Sequence, residues 1–203
     1  MKTKYLVSIS ALIIATAVVS FISPAKKSFH DFTVKTIDGD EFKMSQLKGK
    51  KVLVVNVASK CGLTPQYKDL QALYEKYGGK DFEIIAFPAN NFLRQEPGNN
   101  EEIKEFCTKN YGVSFPVMDK VSVADVIYKG YPPKKENSDP SEKSEIYKWL
   151  TEKIQNGVKD TDVQWNFHKF LIDENGNLIK DIEPKVGKDL EKVLLEIGFL
   201  KAK

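Results

Sequence analysis

Cys61 stands just after the apolar run from Lys51 to Ala58 and just before Gly62-Leu63-Thr64-Pro65, which places a thiol at the junction between a buried strand and a helix. A helix N-terminus presents unpaired backbone N–H groups and the positive end of its dipole, both of which stabilise anions. The thiolate is the reactive form of cysteine, and the elbow reads as an exposed, reactive position. Thr64 occupies the place where dithiol oxidoreductases carry the second cysteine of C-x-x-C, so no vicinal disulfide can form and any redox cycle needs a distant partner. The only other cysteine is Cys107. It lies in the segment Asn99 to Lys109, where Ile103, Phe106 and Cys107 share one face at helical spacing, with acids in the first turn and lysines near the end. On these residues alone, Cys107 reads as a small buried hydrophobe and Cys61 as the functional thiol.

Two later segments are also placed for chemistry. Phe82-Glu-Ile-Ile-Ala-Phe-Pro88 is a short apolar run ended by proline, a buried strand leading into a loop that carries Gln95. Loops at strand ends are where parallel α/β sheets place ligands and catalytic groups. Taken alone, Gln95 is an ordinary solvated loop residue, and Trp165, before the strand-like Phe167 to Asp173, is an ordinary core residue.

The residues around these positions resemble one family in three ordered blocks. Asn56-Val-Ala-Ser-Lys-Cys-Gly-Leu-Thr-Pro-Gln-Tyr67 looks like the peroxidatic segment of the glutathione peroxidase family in its cysteine form. Phe87-Pro-Ala-Asn-Asn-Phe-Leu-Arg-Gln-Glu-Pro-Gly98 is similar to F-P-C-N-Q-F-G-x-Q-E-P-G, and Trp165-Asn-Phe-His-Lys-Phe-Leu171 to W-N-F-x-K-F-L. The resemblance runs from about Asp31 to the C-terminus and implies a thioredoxin-like α/β fold, a central mixed sheet flanked by helices. It implies a thiol peroxidase with Cys61 as nucleophile and Gln95, Trp165 and Asn166 as neutral donors around it, stabilising the thiolate and the charge on the departing oxygen. Attack on hydrogen peroxide or an organic hydroperoxide leaves a sulfenic acid on Cys61, which condenses with a thiol.

Departures from the pattern sharpen this expectation. Ala89 replaces a cysteine often found in the second block and cannot resolve the sulfenic acid. Cys107, in Glu105-Phe-Cys-Thr-Lys-Asn-Tyr-Gly-Val-Ser-Phe-Pro116, matches the resolving segment of thioredoxin-dependent members, so the resemblance makes it the partner of Cys61. A disulfide needs Cα atoms within about 7 Å, so the helix bearing Cys107 must move or unravel between Gly98 and Gly112. Asn91 for glutamine and Leu93 for glycine are milder changes bearing on loop geometry. The connection from Pro116 to Trp165 lacks room for the oligomerisation loop and glutathione-contacting arginines of tetrameric members, and Arg94 is the only arginine in the chain. A monomer is expected, reduced by a thioredoxin-like protein, with glutathione second.

The elements that must position these residues follow from periodicity. Phe32 to Ile37, turned at Asp38-Gly39, is a hairpin signal. A helix runs from about Pro65 to Tyr77, others from Glu145 to Ile154 and from about Lys188 to Ile197, and Asn175-Gly176 turns a strand pair at Phe167–Asp173 and Leu178–Ile182. Tyr131 to Pro140 reads as a polar surface loop. With 41% hydrophobic and 29% charged residues the composition is that of a globular chain with a core. A net charge of +3, with lysines dispersed among acids, gives no footprint for nucleic acid, and His30 and His168 give no metal site. No cofactor is expected.

The N-terminus is a separate object. A basic Met1–Lys4, an apolar Tyr5 to Ile22 and a small-residue exit at Ser23-Pro24-Ala25 read as a secretory signal, or as a membrane anchor through residues 5–22. Residues 1–25 are thus expected to export residues 26–203, one domain, to the periplasm or another extracytoplasmic space, with no cysteine nearby for lipid attachment. Two rival readings stand beside the peroxidase: a non-catalytic thioredoxin-like module with a structural Cys61–Cys107 disulfide, and a thiol-disulfide oxidoreductase, against which Thr64 speaks.

Overall fold

The computed structural model describes residues 27–129, 134–136 and 142–202. The expected export segment and most of the expected loop from Tyr131 to Pro140 lie outside the described residues. The centre of the molecule is β3 (Lys51–Val57), a valine-rich strand buried from Val52 onward. Its side chains alternate between two apolar clusters: Leu53, Val55 and Val57 face one, Val52 and Val54 the other. A strand covered on both faces needs this continuous run, whereas a half-exposed strand would alternate with polar residues.

Around it stand β4 (Phe82–Pro88), parallel to β3, and β7 (Lys169–Ile172), antiparallel to it, with β8 (Leu178–Ile182) outside β7. The sheet, in order β4-β3-β7-β8, is therefore mixed. One face is covered by α1 (Gln66–Tyr77), α2 (Asn100–Tyr111) and α5 (Leu190–Glu196), through Tyr67, Leu70, Ile103 and Leu194. The other is covered by α3 (Glu145–Thr151) and the first described residues, where Phe29 and Phe32 pack on Trp149. The small hairpin of β1 (Thr33–Lys35) and β2 (Glu41–Lys43) turns where expected. No helix among the described residues is long and apolar enough to cross a membrane.

Two expectations about elements change. The helix read from Glu145 to Ile154 ends at Thr151 and restarts as α4 (Lys153–Asn156), because Glu152 adopts extended backbone between them. The Asn156 side chain holds that break by donating to Trp149 O at 3.0 Å and Lys159 O at 3.1 Å. Within the segment read as loop, β6 (Lys134–Glu136) pairs antiparallel with β5 (Ile127–Lys129).

The topology fixes where chemistry can occur. The carboxyl ends of β3 and β4 lie side by side, and β7 runs the other way with Lys169 opposite Val55, so the residues preceding β7 arrive at the same edge. Cys61, Gln95 and Trp165-Asn166 are thereby delivered to one end of the sheet.

At the opposite end Gly176 turns β7 into β8 at φ +82°, and a Cβ there would stand 2.7 Å from His30 Nδ1 and closer still to Ser28 Oγ. Gly39 has φ +88° with nothing near. Gly176→Ala is expected to lower unfolding free energy by about 2–3 kcal/mol and Gly39→Ala by about 1 kcal/mol, read from urea denaturation. Equal losses would contradict the clash.

Candidate active site

After β3 the chain must turn sharply into α1, and Thr64 organises that turn. Its Oγ1 donates to Ala58 O at 2.8 Å and accepts from the Cys61 N–H at 3.0 Å, while its own N–H donates to Cys61 O at 3.0 Å. The residue read from sequence as a missing cysteine is thus the hydroxyl that holds the elbow together. The Leu63 N–H donates to Cys61 Sγ at 3.4 Å, a backbone donor aimed at the sulfur. Cys61 was expected to be exposed, yet it is only 9% accessible. It meets solvent through a cavity of about 820 Å³ whose walls include Leu63, Leu93, Gln95, Trp165 and Pro184.

Gln95 and Trp165 therefore join Cys61 on one cavity. Asn166 does not line it: the side chain is fully buried and Nδ2 donates to Gln95 Oε1 at 2.8 Å. Asn166 was expected among the donors around the thiol; its bond goes instead to the neighbouring amide, which commits the Gln95 oxygen as acceptor and leaves Nε2 as the end with protons to offer. No described residue accepts from Gln95 Nε2 or Trp165 Nε1, so the cavity wall carries two uncommitted donors beside a thiol. The indole packs against a tilted Phe92 ring and meets Tyr128 edge-on, with ring centroids 5.1 and 6.3 Å away.

Sequence reading missed Asn56, which ties these parts together. From β3 its Nδ2 donates to Trp165 O at 3.1 Å, its Oδ1 accepts from the His168 N–H at 3.1 Å and its backbone oxygen accepts from the Phe167 N–H. Phe167 is thereby held at φ 67°, a conformation unfavourable for a residue with a side chain. That strained residue is what turns Asn166 inward and starts β7 late. Leu93 and Arg94 also lie at φ 52°, and Leu93 stands where the resembling motif has glycine, the residue that adopts this geometry without strain. Asn91, the other departure, is buried and structural: it donates to Ser122 Oγ, Ala124 O and Val126 O and accepts from the Val123 N–H.

A second unexpected residue is Lys169, fully buried, whose Nζ donates to Gln66 Oε1, Pro184 O and Val186 O at 2.6, 3.2 and 2.7 Å. Burial pushes its ammonium down to about 7. It joins the first turn of α1 to the segment Glu183–Lys185 that forms the far cavity wall. His168, lowered by burial, accepts from the Gln164 N–H on Nδ1 and meets Asp181 through Nε2, so the ring is neutral and structural.

Cys107 is elsewhere. It is 1% exposed, its thiol donates to the Tyr67 hydroxyl at 3.4 Å, and burial pushes it up to about 11. Both cysteines are free. Helix α2 is closed at both ends, by a capping box between Asn99 and Glu102 and by Gly112 at φ 62°. The structure thus brings Cys61, Gln95 and Trp165 together, places Asn166 behind Gln95 and keeps Cys107 out of their cavity.

The sequence matches the family model described as glutathione peroxidase over residues 29–128. The glutathione peroxidase-like peroxiredoxin gpx1 of Schizosaccharomyces pombe is 48% identical over 153 residues, 75% of this chain and 86% of that one. The chain belongs to the glutathione peroxidase family. Among solved structures it resembles T. cruzi GPX1, at 30% identity and a TM-score of 0.58 over 83% of this chain and 95% of that one. A thioredoxin-family thiol:disulfide interchange protein from Chlorobium tepidum matches with a TM-score of 0.56 at 19% identity, over 86% and 97% of the two chains, a likeness of fold alone. The fold is thioredoxin-like, and this glutathione peroxidase relative is a thiol peroxidase.

Replacing Thr64 by Val keeps the shape but leaves Ala58 O and the Cys61 N–H without partners. Thr64→Val is expected to cost about 1–3 kcal/mol and to slow the reaction of Cys61 with hydrogen peroxide, with Thr64→Ser restoring both. An unaltered single-turnover rate in the valine variant would show that the hydroxyl does not set the position of the sulfur.

Proposed function

We propose that this peroxidase works through two cysteines. Cys61 attacks the terminal oxygen of a hydroperoxide, the O–O bond breaks, the alcohol or water leaves with a proton, and a sulfenic acid remains. Cys107 then condenses with it, releasing water and forming a Cys61–Cys107 disulfide. A thioredoxin-like dithiol, with glutathione as a weaker substitute, opens the disulfide by exchange. The observation that carries the first step is the pairing of a nucleophile with donors: the Leu63 N–H faces the sulfur, and Gln95 and Trp165, whose Nε2 and Nε1 have no acceptor among the described residues, line the shared cavity. Neutral donors can stabilise charge growing on the departing oxygen without competing for the proton.

The second step is supported by arithmetic and by the family pattern. The chain holds two cysteines, and Cys107 matches the resolving segment. In the described conformation α2 is closed over that thiol, so resolution requires α2 to open. Gly98 before the helix and Gly112 after it supply the chain freedom for this. The reading of the N-terminus as an export signal or anchor belongs to the same proposal, and places the reductant in an extracytoplasmic space. The enzyme is taken to act as a monomer.

Two substitutions test the scheme. Cys61→Ser is expected to abolish turnover with every reductant, because a serine hydroxyl is un-ionised near neutrality; retained turnover would remove Cys61 from the mechanism. Cys107→Ser should still consume about one equivalent of peroxide yet stop as a sulfenic or over-oxidised Cys61 when thioredoxin is the sole reductant. If Cys107 is only a core residue, that variant should turn over normally and lose stability instead, since a hydroxyl replaces a packed thiol.

A further inference from the structure

Glu96 follows Gln95 in the loop between the two thiols, and its carboxylate has no part in the steps above. It is fully buried. Oε2 accepts from Ser59 Oγ at 3.1 Å, the backbone N–H donates to Asn90 Oδ1 at 3.0 Å, and Oε1 has no partner among the described residues. Buried carboxylate oxygens without donors are costly, so this one marks a site with a purpose beyond packing. Glu96 lines a cavity of about 410 Å³ with Ser59 and Lys60 on one side and Ile103 and Phe106 of α2 on the other. Ser59 is two residues before Cys61, and Phe106 adjoins Cys107. The carboxylate thus occupies the ground between the nucleophile's elbow and the helix that must open.

The charged and titratable groups facing it are Lys60 on the elbow, Lys120 beyond α2, Glu102 on α2, and the Tyr67–Cys107 pair between α1 and α2. Lys120 already donates to Gly98 O at 2.6 Å, and no ion pair to Glu96 is formed among the described residues. Burial therefore prevails over Ser59 and the lysines and pushes Glu96 up to about 7. The condensation needs such a group. While α2 is closed, burial pushes the thiol up to about 11, so only about one Cys107 in 10⁴ is ionised at pH 7 as the helix begins to open.

We propose that Glu96 is the general base of the disulfide-forming step, taking the Cys107 proton as α2 opens across this cavity and returning it to the oxygen that leaves Cys61. The inference rests on the two-cysteine reading above. Cys107 S–H gives its proton to Glu96 Oε1, the S–S bond forms as the Cys61 S–O bond breaks, and the departing hydroxide takes the proton as water. The carboxylate is restored, and peroxide has already supplied the oxidising equivalents. The sign of the linkage agrees. Because the buried form is raised from 4.5 to about 7, ionisation disfavours the closed helix progressively across that interval, so opening and proton acceptance are favoured in the same window.

The test generates the Cys61 sulfenic acid with one equivalent of hydrogen peroxide and follows the disulfide by quenched mass analysis from about pH 5 to 9.5. Wild type is expected to speed up with pH and level near 7. Glu96→Gln is expected to be slower by about 10²-fold at pH 7 and to recover about tenfold per pH unit as Cys107 ionises unaided, while Glu96→Asp keeps the break near neutrality. A glutamine variant with the wild-type rate and profile overturns the role of Glu96. Slowing by a constant factor at every pH, with no alkaline recovery, also overturns it, as the mark of a displaced α2. Absence of the disulfide in wild type at every pH refutes the two-cysteine reading, and the role of Glu96 with it.

Discussion

The active end of this molecule depends on one side chain that does no chemistry. Asn56 sits in the central strand directly after Val55, the last residue paired with β7, and its amide joins the strand that delivers Cys61 to the turn that delivers Trp165 and Asn166. Without it the strained Phe167 backbone would relax and the inward turn of Asn166 would be lost. Asn166 is then fixed against Gln95, and Gln95 is oriented by the amide bond it accepts. The order of dependence runs from a strand hydrogen bond to a strained turn, to an amide pair, to the donors on the cavity. Asn56, Phe167 and Asn166 are fully buried and Gln95 partly so, and an unmade hydrogen bond among buried groups is expensive.

A second constraint pulls the other way. Peroxide chemistry wants a rigid, preorganised end of the sheet, while the resolution proposed for Cys107 would take that thiol out of the core. The fold separates the two demands. Donors and nucleophile hang from β3, β4 and β7, whereas the second thiol is carried on α2, outside the sheet and packed chiefly through Ile103 and Cys107 itself. A helix attached by so few buried side chains can open at a cost well below that of global unfolding. Its capping box and αL glycine keep it closed otherwise.

Much of the framework is legible in the sequence because it is written in periodicity: the valine-rich β3, the proline-ended β4, the hairpin turns and α2 all lie where spacing puts them. The elbow at Cys61 is legible for the same reason. Gln95 and Trp165 are legible only through the resemblance of their blocks, because by spacing alone an amide in a polar loop and an indole before a strand are ordinary until the antiparallel course of β7 brings them to one cavity. Asn56, Thr64 and Glu96 escape sequence reading more completely, since what distinguishes them is a partner remote in the chain or the lack of one. The broken helix at Glu152 fails for a like reason: Asn156 satisfies backbone groups that a periodic pattern cannot anticipate. Lys169 inverts the pattern, a lysine in a wholly buried strand that three neutral acceptors make tolerable.

The central claim is that Gln95 and its supporting Asn166 act on the departing peroxide oxygen and not merely on the presence of a thiolate. Alkylation by iodoacetamide uses the same sulfur but develops charge on iodide, a large ion that accepts hydrogen bonds far more weakly than a departing oxygen. Single-turnover rates with hydrogen peroxide and with iodoacetamide, measured side by side in wild type, Gln95→Ala and Asn166→Ala, separate the two. Peroxide reduction is predicted to fall by about 10²–10³-fold while alkylation changes far less; parallel losses in both reactions would contradict the account.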